Sequence, residues 1–459
     1  MTDFKSRFDD NVGSTSAFQS TRPMNILLSA YACEPCRGSE PAVGWNIATE
    51  MARYHNVWVL TRSNNQPAIE NELKRKPQPR IRWEYVDPSP ALTFWKSGTR
   101  GLLPFYYLWQ MLAYRHGREL HRRIRFDVIH HVTLTQYWTP SYLGLLDVPF
   151  VWGPLGGADS TPGLLLNSLN REGRFIERRR RWVQAVATTD PFLRAVSRRT
   201  ALALATTQET AARLRRLGCS RVEPFGCVGL SFEELDSLTQ IPVHRDAPLR
   251  LMSSGRLTGW KGFHLGIHAF ARIHETLPRS DYWVFGEGAE RRNLVELASK
   301  MGLGAKVKFF GDRPRAEVLK ALAECDVLIH PSFHDSGAMV CNEAMAAGRP
   351  VICLDLGGPA TLVTHDTGLK ISATNPEEVI DKIADAIRWL AGNPSAREQM
   401  GKAARISACE HSWALKAQNL SGWYGEVARP SARTDSVRDS TSFDLPDLTG
   451  RAAGSHKQC

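Results

Sequence analysis

The chain has 459 residues, too many for one core and enough for two domains. It is 42% hydrophobic and 23% charged, an ordinary globular balance, and no uninterrupted apolar run approaches the roughly 20 residues that a membrane-spanning helix needs. The formal net charge of +11 favours anionic partners; with no zinc-finger spacing and no aromatic RNA-binding motif, nucleic acid ranks behind phosphoryl ligands and anionic lipid.

Residues 1–23 are polar and lack the apolar core of a secretion signal, so they read as a disordered leader. A first strand is expected over 25–30. Cys33-Glu34-Pro35-Cys36 follows with redox or metal spacing, yet no second cysteine pair repeats it, and the odd total of nine cysteines favours reduced thiols. The glycine-containing stretch from Gly38 to Gly44 opens a helix over 42–52, where Ser39 or Glu40 could simply be a cap. Strands are expected at 57–60, 128–131 and 149–152. Residues 101–112 are apolar and aromatic and run into Arg115, Arg118, Arg122, Arg123 and Arg125, with a helix placed at 110–124. That pattern fits a helix lying on an anionic bilayer and equally a core helix with a solvated basic face. His130 and His131 are adjacent in a strand and so point to opposite faces. Gly153 to Asp159, including Gly156 and Gly157, follows a strand and should border a cleft. Arg171, Arg174 and Arg178 to Arg181 form a second basic cluster.

A polar, proline-containing segment near 239–248 marks the boundary, after which strands are expected at 249–253, 282–285, 307–310, 326–330 and 351–354. Alternating strands and helices predict parallel sheets covered on both faces, with ligands at the strand C-termini. Three loops lie at such ends: Gly255 to Gly262 with Arg256 and Lys261, Gly286-Glu287-Gly288, and Phe310-Gly311-Asp312-Arg313. Two fixed cations on a glycine-rich loop suit a leaving group that develops negative charge. A fourth loop, Asp335-Ser336-Gly337-Ala338-Met339, precedes a helix at 342–347 that carries Glu343, eight positions after Asp335. Unpaired N–H groups at a helix start attract anions, so a cradle flanked by two carboxylates suits a nucleotide-sugar; a capped surface helix would look much the same. A last helix is expected at 412–427 and a polar, disordered tail at 429–459.

Asp335, Glu343-Ala344-Met345, Gly348-Arg349-Pro350-Val351 and Gly357-Gly358 together resemble the retaining glycosyltransferases of family four, which have GT-B architecture. The likeness covers roughly residues 24–427, with one departure: the family usually has Glu where this chain has Asp335. It implies an α/β fold of two Rossmann-like domains facing each other across a cleft, an acceptor-side domain at 24–240 and a nucleotide-sugar domain at 241–411, with the helix at 412–428 packing back on the first. It further implies a metal-independent enzyme, without cofactor, that moves a hexose from a nucleoside diphosphate sugar to a hydroxyl acceptor on a lipid-linked or polysaccharide precursor. Arg256 and Lys261 would face the diphosphate, Asp335 and His131 the transferred sugar, and Glu343 the nucleotide. His131 is preferred to His130 as nearer the strand end, with a buried structural role as the alternative. Gly38, Gly44, Gly156, Gly157, Gly286, Gly288, Arg313, Ser336, Gly337, Ala338 and Met339 would line the substrates. The location expected is cytoplasmic or peripheral at the inner face of the plasma membrane. A nucleotide-sugar epimerase and a non-catalytic sugar-nucleotide-binding protein are the alternatives.

Overall fold

The computed structural model describes residues 22–429 other than 36, 90, 92, 94, 96–100 and 244–247. Nearly all of the expected leader and tail, and Cys36 of the paired-cysteine motif, therefore lie outside the described residues; Cys33 is buried, and burial pushes its thiol pKa well up.

Two wholly parallel sheets organise the chain. The first contains β1 (Asn25–Ala30), β2 (Asn56–Thr61), β3 (Ile81–Tyr85), β4 (Val128–Thr133), β5 (Phe150–Leu155), β6 (Thr200–Ala205) and β7 (Val222–Pro224), in the order β3-β2-β1-β4-β5-β6-β7. The second contains β8 (Arg250–Ser254), β9 (Asp281–Phe285), β10 (Val307–Gly311), β11 (Val327–His330), β12 (Val351–Leu354) and β13 (Gly368–Ile371), in the order β10-β9-β8-β11-β12-β13. The strand order reverses between β1 and β4 and again between β8 and β11, and loops that leave on either side of such a reversal open a crevice at the strand C-termini. This is the expected pair of Rossmann-like domains. The central strands are apolar runs because helices cover both faces: every residue of β4, β5, β11 and β12 is buried.

Several local expectations are revised. β3, β6, β7 and β13 were not anticipated. The helix expected at 110–124 spans Leu102–Ile124 and buries Phe105, Tyr106, Trp109 and Ala113 against the first sheet, so the aromatic stretch at 101–112 is largely core. β4 runs on to Thr133, so neither His130 nor His131 sits at its end. The helix expected at 342–347 is Met339–Ala346, starting three residues earlier and ending one earlier. Gly44 lies where helix Glu40–Met51 crosses the loop after β1; a Cβ there would stand 2.3 Å from the Ala32 carbonyl oxygen, so close helix–loop packing accounts for it without a ligand.

The final helix, Trp413–Ala428, packs on the first sheet. Trp413, Ala417, Leu420 and Tyr424 join the core that contains Ile26, Leu28 and Val57. Polar bonds fix its register: the Tyr424 hydroxyl meets His130 Nδ1, Ser421 Oγ lies 2.9 Å from His55 Nε2, and Lys416 Nζ donates to the Gly226 carbonyl at 2.8 Å. Replacing Tyr424 by Phe keeps the ring and strands a buried imidazole nitrogen. That substitution is expected to cost about 1–3 kcal/mol, seen as a lower urea midpoint with a native far-ultraviolet spectrum.

Candidate functional site

Four strand-end loops of the second sheet converge, and glycine lets them stack. A Cβ on Gly286 would lie 2.0 Å from the Gly255 carbonyl oxygen, and one on Gly288 would lie 2.3 Å from that of Leu257. The backbones join there, Gly255 N–H to Phe285 O at 3.1 Å and Leu257 N–H to Glu287 O at 2.9 Å. Loop-on-loop contact by itself requires glycine at 286 and 288. Gly262, with φ +68°, fits 2.1 Å from the Pro331 carbonyl and ends the short turn Gly259–Lys261 that carries the lysine.

Lys261 pairs with Asp335 Oδ2, and the two side chains are 12% and 15% exposed. His330 Nε2 lies 3.2 Å from the same oxygen, while Oδ1 accepts from the backbone N–H groups of Gly337 (3.4 Å) and Ala338 (3.3 Å). Burial alone would raise the Asp335 pKa; the Lys261 ammonium and His330 outweigh it and hold the carboxyl well below the usual range. His330 is pushed the other way, chiefly by burial and then by Lys261, so it stays neutral. The ammonium also lies 4.8 Å from the centre of the Trp260 ring, which stacks on His334 at 4.6 Å. Arg256 is exposed on the same loop. Ala338 caps the helix Met339–Ala346 with a left-handed φ of 56°, which turns Ser336 and Gly337 toward the first domain.

Glu343 is 7% exposed and bound by a residue the sequence reading did not select. Arg315 Nε (3.0 Å) and Nη2 (2.6 Å) both donate to its Oε1, and Arg315 Nη1 pairs with Glu234. Burial raises the Glu343 pKa, and Arg315 opposes that rise. Gly38 faces this group, its added Cβ falling 3.7 Å from Arg315 Cδ. Arg313, the arginine selected from sequence, is exposed and bonds locally to the Phe310 carbonyl at 3.0 Å. Both share one loop; only position 315, at the start of helix Arg315–Ala323, reaches the acid.

The first domain meets these loops directly. Gly157 N–H donates to Ser336 Oγ at 3.1 Å, and Gly156 leaves room for that side chain, whose Oγ would lie 2.2 Å from an added Cβ. Gly337 packs on Cys227, 2.6 Å from a Cβ added there. Glu177, on helix Arg171–Ala187, accepts from Thr161 and lies 2.8 Å from His334 Nε2, a cross-domain pair missed from sequence. At the β6–β7 end the cleft retains a cavity of about 410 Å³, lined by Thr206, Thr207, Phe225 and Lys416 among others. His131 is not part of this convergence. It is fully buried beside Ser29 Oγ (3.2 Å) and the Tyr106 hydroxyl (3.3 Å), and burial lowers its pKa to about 3. No group of three His, Cys, Asp or Glu residues able to hold a metal ion occurs among the described residues.

The helix Arg171–Ala187 carries large apolar residues among arginines on its exposed face. It buries Glu177 and Gln184, and it exposes Phe175 (67%), Trp182 (66%), Ile176 and Val186. Of the expected arginine cluster, Arg180 turns inward to the carbonyls of Gly157 and Asp159, whereas Arg178, Arg179 and Arg181 are exposed, Arg181 donating to the Thr161 carbonyl. Beside the exposed face runs a groove of about 530 Å³ lined by Leu103, Tyr107, Trp138, Trp182 and Phe192 among others. No helix among the described residues is long and apolar enough to cross a membrane.

Residues 237–407 match the family described as glycosyl transferases group 1. The D-inositol 3-phosphate glycosyltransferase of Corynebacterium diphtheriae is 31% identical over 195 residues, 41% of this chain and 44% of that relative; the chain thus spans less than half of that relative's length. The enzyme of the same name from Pseudarthrobacter chlorophenolicus is 26% identical over 81% of this chain and 86% of its own. Among solved structures, sucrose-phosphate synthase from Thermosynechococcus elongatus superposes with a TM-score of 0.61 at 18% identity, over 88% of this chain and 99% of that one, a likeness of fold. The fold is GT-B.

The depressed pKa of Asp335 has a consequence for stability. Its ionised form stabilises the native state above the unfolded carboxyl value of about 3.9, and that contribution is lost as pH falls below it. Asp335→Asn is therefore expected to flatten the acid limb of a plot of urea midpoint against pH below about pH 4. At neutral pH it should lower stability by about 3 kcal/mol or more, because Lys261 is left unpaired.

Proposed function

We propose that this chain, with residues 237–407 in the glycosyl transferases group 1, transfers a hexose from a nucleoside diphosphate sugar to a hydroxyl acceptor with retention of configuration. The observation that carries the reading is the buried Lys261–Asp335 pair, set at the start of the same helix that presents Glu343. Lys261 and Arg256 supply fixed positive charge to the departing diphosphate, joined by the N–H groups at the start of helix Met339–Ala346. Asp335 accepts from a sugar hydroxyl, and Glu343 accepts from the ribose. The bond from the anomeric carbon to the diphosphate breaks, the acceptor oxygen bonds to that carbon on the same face, and the acceptor proton passes to the departing phosphate oxygen. His131 has no part in this reading because it is sealed in the first-domain core.

The acceptor we assign is lipid-linked, reached by peripheral docking of the first domain on an anionic bilayer. Support comes from the helix Arg171–Ala187, whose exposed Phe175 and Trp182 alternate with Arg178 and Arg179 beside the apolar groove. The stretch at 101–112 contributes the groove residues Leu103 and Tyr107 rather than a bilayer helix.

Arg256→Ala or Lys261→Ala is expected to cut turnover about a hundredfold or more, with activity retained in EDTA. A strict divalent-ion requirement, or acceptor-free isomerisation of the donor, would overturn the transfer reading. Flotation with anionic vesicles should be stronger than with neutral ones and weaken with salt, since each arginine near the surface contributes about 1 kcal/mol. Trp182→Ser with Arg178→Ser and Arg179→Ser should abolish vesicle binding and leave nucleotide affinity unchanged. Equal flotation on both vesicle types would redirect the acceptor assignment to a soluble molecule.

A further inference from the structure

Glu343 poses a physical problem that the proposed donor site does not solve alone. A carboxylate almost wholly removed from water takes up a proton, and a protonated carboxyl offers ribose hydroxyls one acceptor fewer. The solution lies in Arg315. Its Nε and Nη2 grip one oxygen, Oε1, at 3.0 and 2.6 Å, while Nη1 is held by Glu234. Glu234 is itself fixed: its other oxygen, Oε2, accepts from Ser231 N–H at 2.8 Å in the capping box of helix Phe232–Thr239. The planar guanidinium is thus held at both ends, and both contacts to Glu343 fall on Oε1, which leaves Oε2 for a ligand.

We infer that Arg315 is a positioning residue of the donor site: it holds Glu343 ionised and oriented so that Oε2 meets the nucleotide ribose, and Glu234 anchors it from the connector helix. This inference rests on the ribose role of Glu343 proposed above. The charged groups that face Glu343 are Arg315 and Glu234; its own helix adds the thiol of Cys341, whose pKa burial pushes up. Removal of Arg315 therefore leaves burial and Glu234 both acting to raise the Glu343 pKa. Above that pKa the acid is ionised and binds; as pH falls through it, binding is lost.

The test is titration calorimetry on the full chain between about pH 6 and 8.5, with whichever of UDP, ADP or GDP binds the parent most tightly. Arg315→Met should bind more weakly than the parent, with a deficit that grows toward the acid end by about tenfold per pH unit below the shifted pKa. Added Glu343→Gln should remove that extra pH dependence. Arg315→Lys, which keeps a cation without the two-pronged grip, should show a smaller acid-side loss and serves as the readout if Arg315→Met does not fold. Profiles parallel to the parent for both variants would overturn the inference. So would tighter binding by Arg315→Met at every pH, which would make Arg315 a competitor of the ribose. Unchanged affinity in Glu343→Gln alone would instead remove the ribose assignment itself, and with it this inference.

Discussion

A carboxylate withdrawn from water must be answered by a cation or by hydrogen-bond donors, and that requirement organises the junction of the two sheets. Asp335 is answered by Lys261 and His330, Glu343 by Arg315, and Glu177 by His334. In each case the acid and its principal partner come from different elements. Lys261 leaves β8 and Asp335 leaves β11; Arg315 follows β10; Glu177 belongs to the other domain. Pairing therefore does more than neutralise charge. It ties loops that share no continuous backbone, so that strand ends, helix start and cross-domain contacts reach one fixed geometry. Neither sheet alone would supply both halves of all three pairs.

Much of this was legible in the residue pattern. The central strands announce themselves as short apolar runs because helices bury both faces, and the chemistry-bearing acids and bases sit in the loops directly after them. What escaped notice had physical reasons. β6, Thr-Ala-Leu-Ala-Leu-Ala, is made of good helix formers, and sheet context overrides that propensity. β7 and β13 are only three and four residues long, and β3 is an edge strand whose apolar positions are separated by Arg82 and Glu84. The partners of the site acids were harder still. His334 and Glu177 are separated by 157 positions, and nothing local to either signals the other. Arg315 lies two residues from the arginine selected by motif, and only the start of a helix determines which of them reaches the acid. His131 was preferred as nearer the strand end, but β4 continues to Thr133 and buries it, the structural alternative.

Glycine and amphipathicity also carried two meanings each. Gly44, Gly286 and Gly288 read as ligand-facing backbone, and each marks a place where protein backbone approaches protein backbone. The helix Arg171–Ala187 turns Glu177 and Gln184 to the domain junction, which leaves Phe175, Ile176, Trp182 and Val186 facing out among exposed arginines. Sequence shows that a helix is two-sided; only the fold shows which side has been claimed.

The path of the chain adds a constraint on how the molecule is made. The first sheet begins near the N-terminus, yet Trp413, Ala417, Leu420 and Tyr424 complete its core, and the His130–Tyr424 bond spans 294 positions. On a ribosome adding about 5–20 residues per second, His130 waits roughly 15–60 s for its partner. Throughout that interval the core around Ile26, Leu28 and Val57, already packed against Val43, Ile47 and Met51 of helix Glu40–Met51, lacks the part of its cover that the last helix supplies. The nascent first domain is thus the species most in need of a chaperone, and a ribosome that stalls before Trp413 releases a sticky fragment rather than a smaller functional protein.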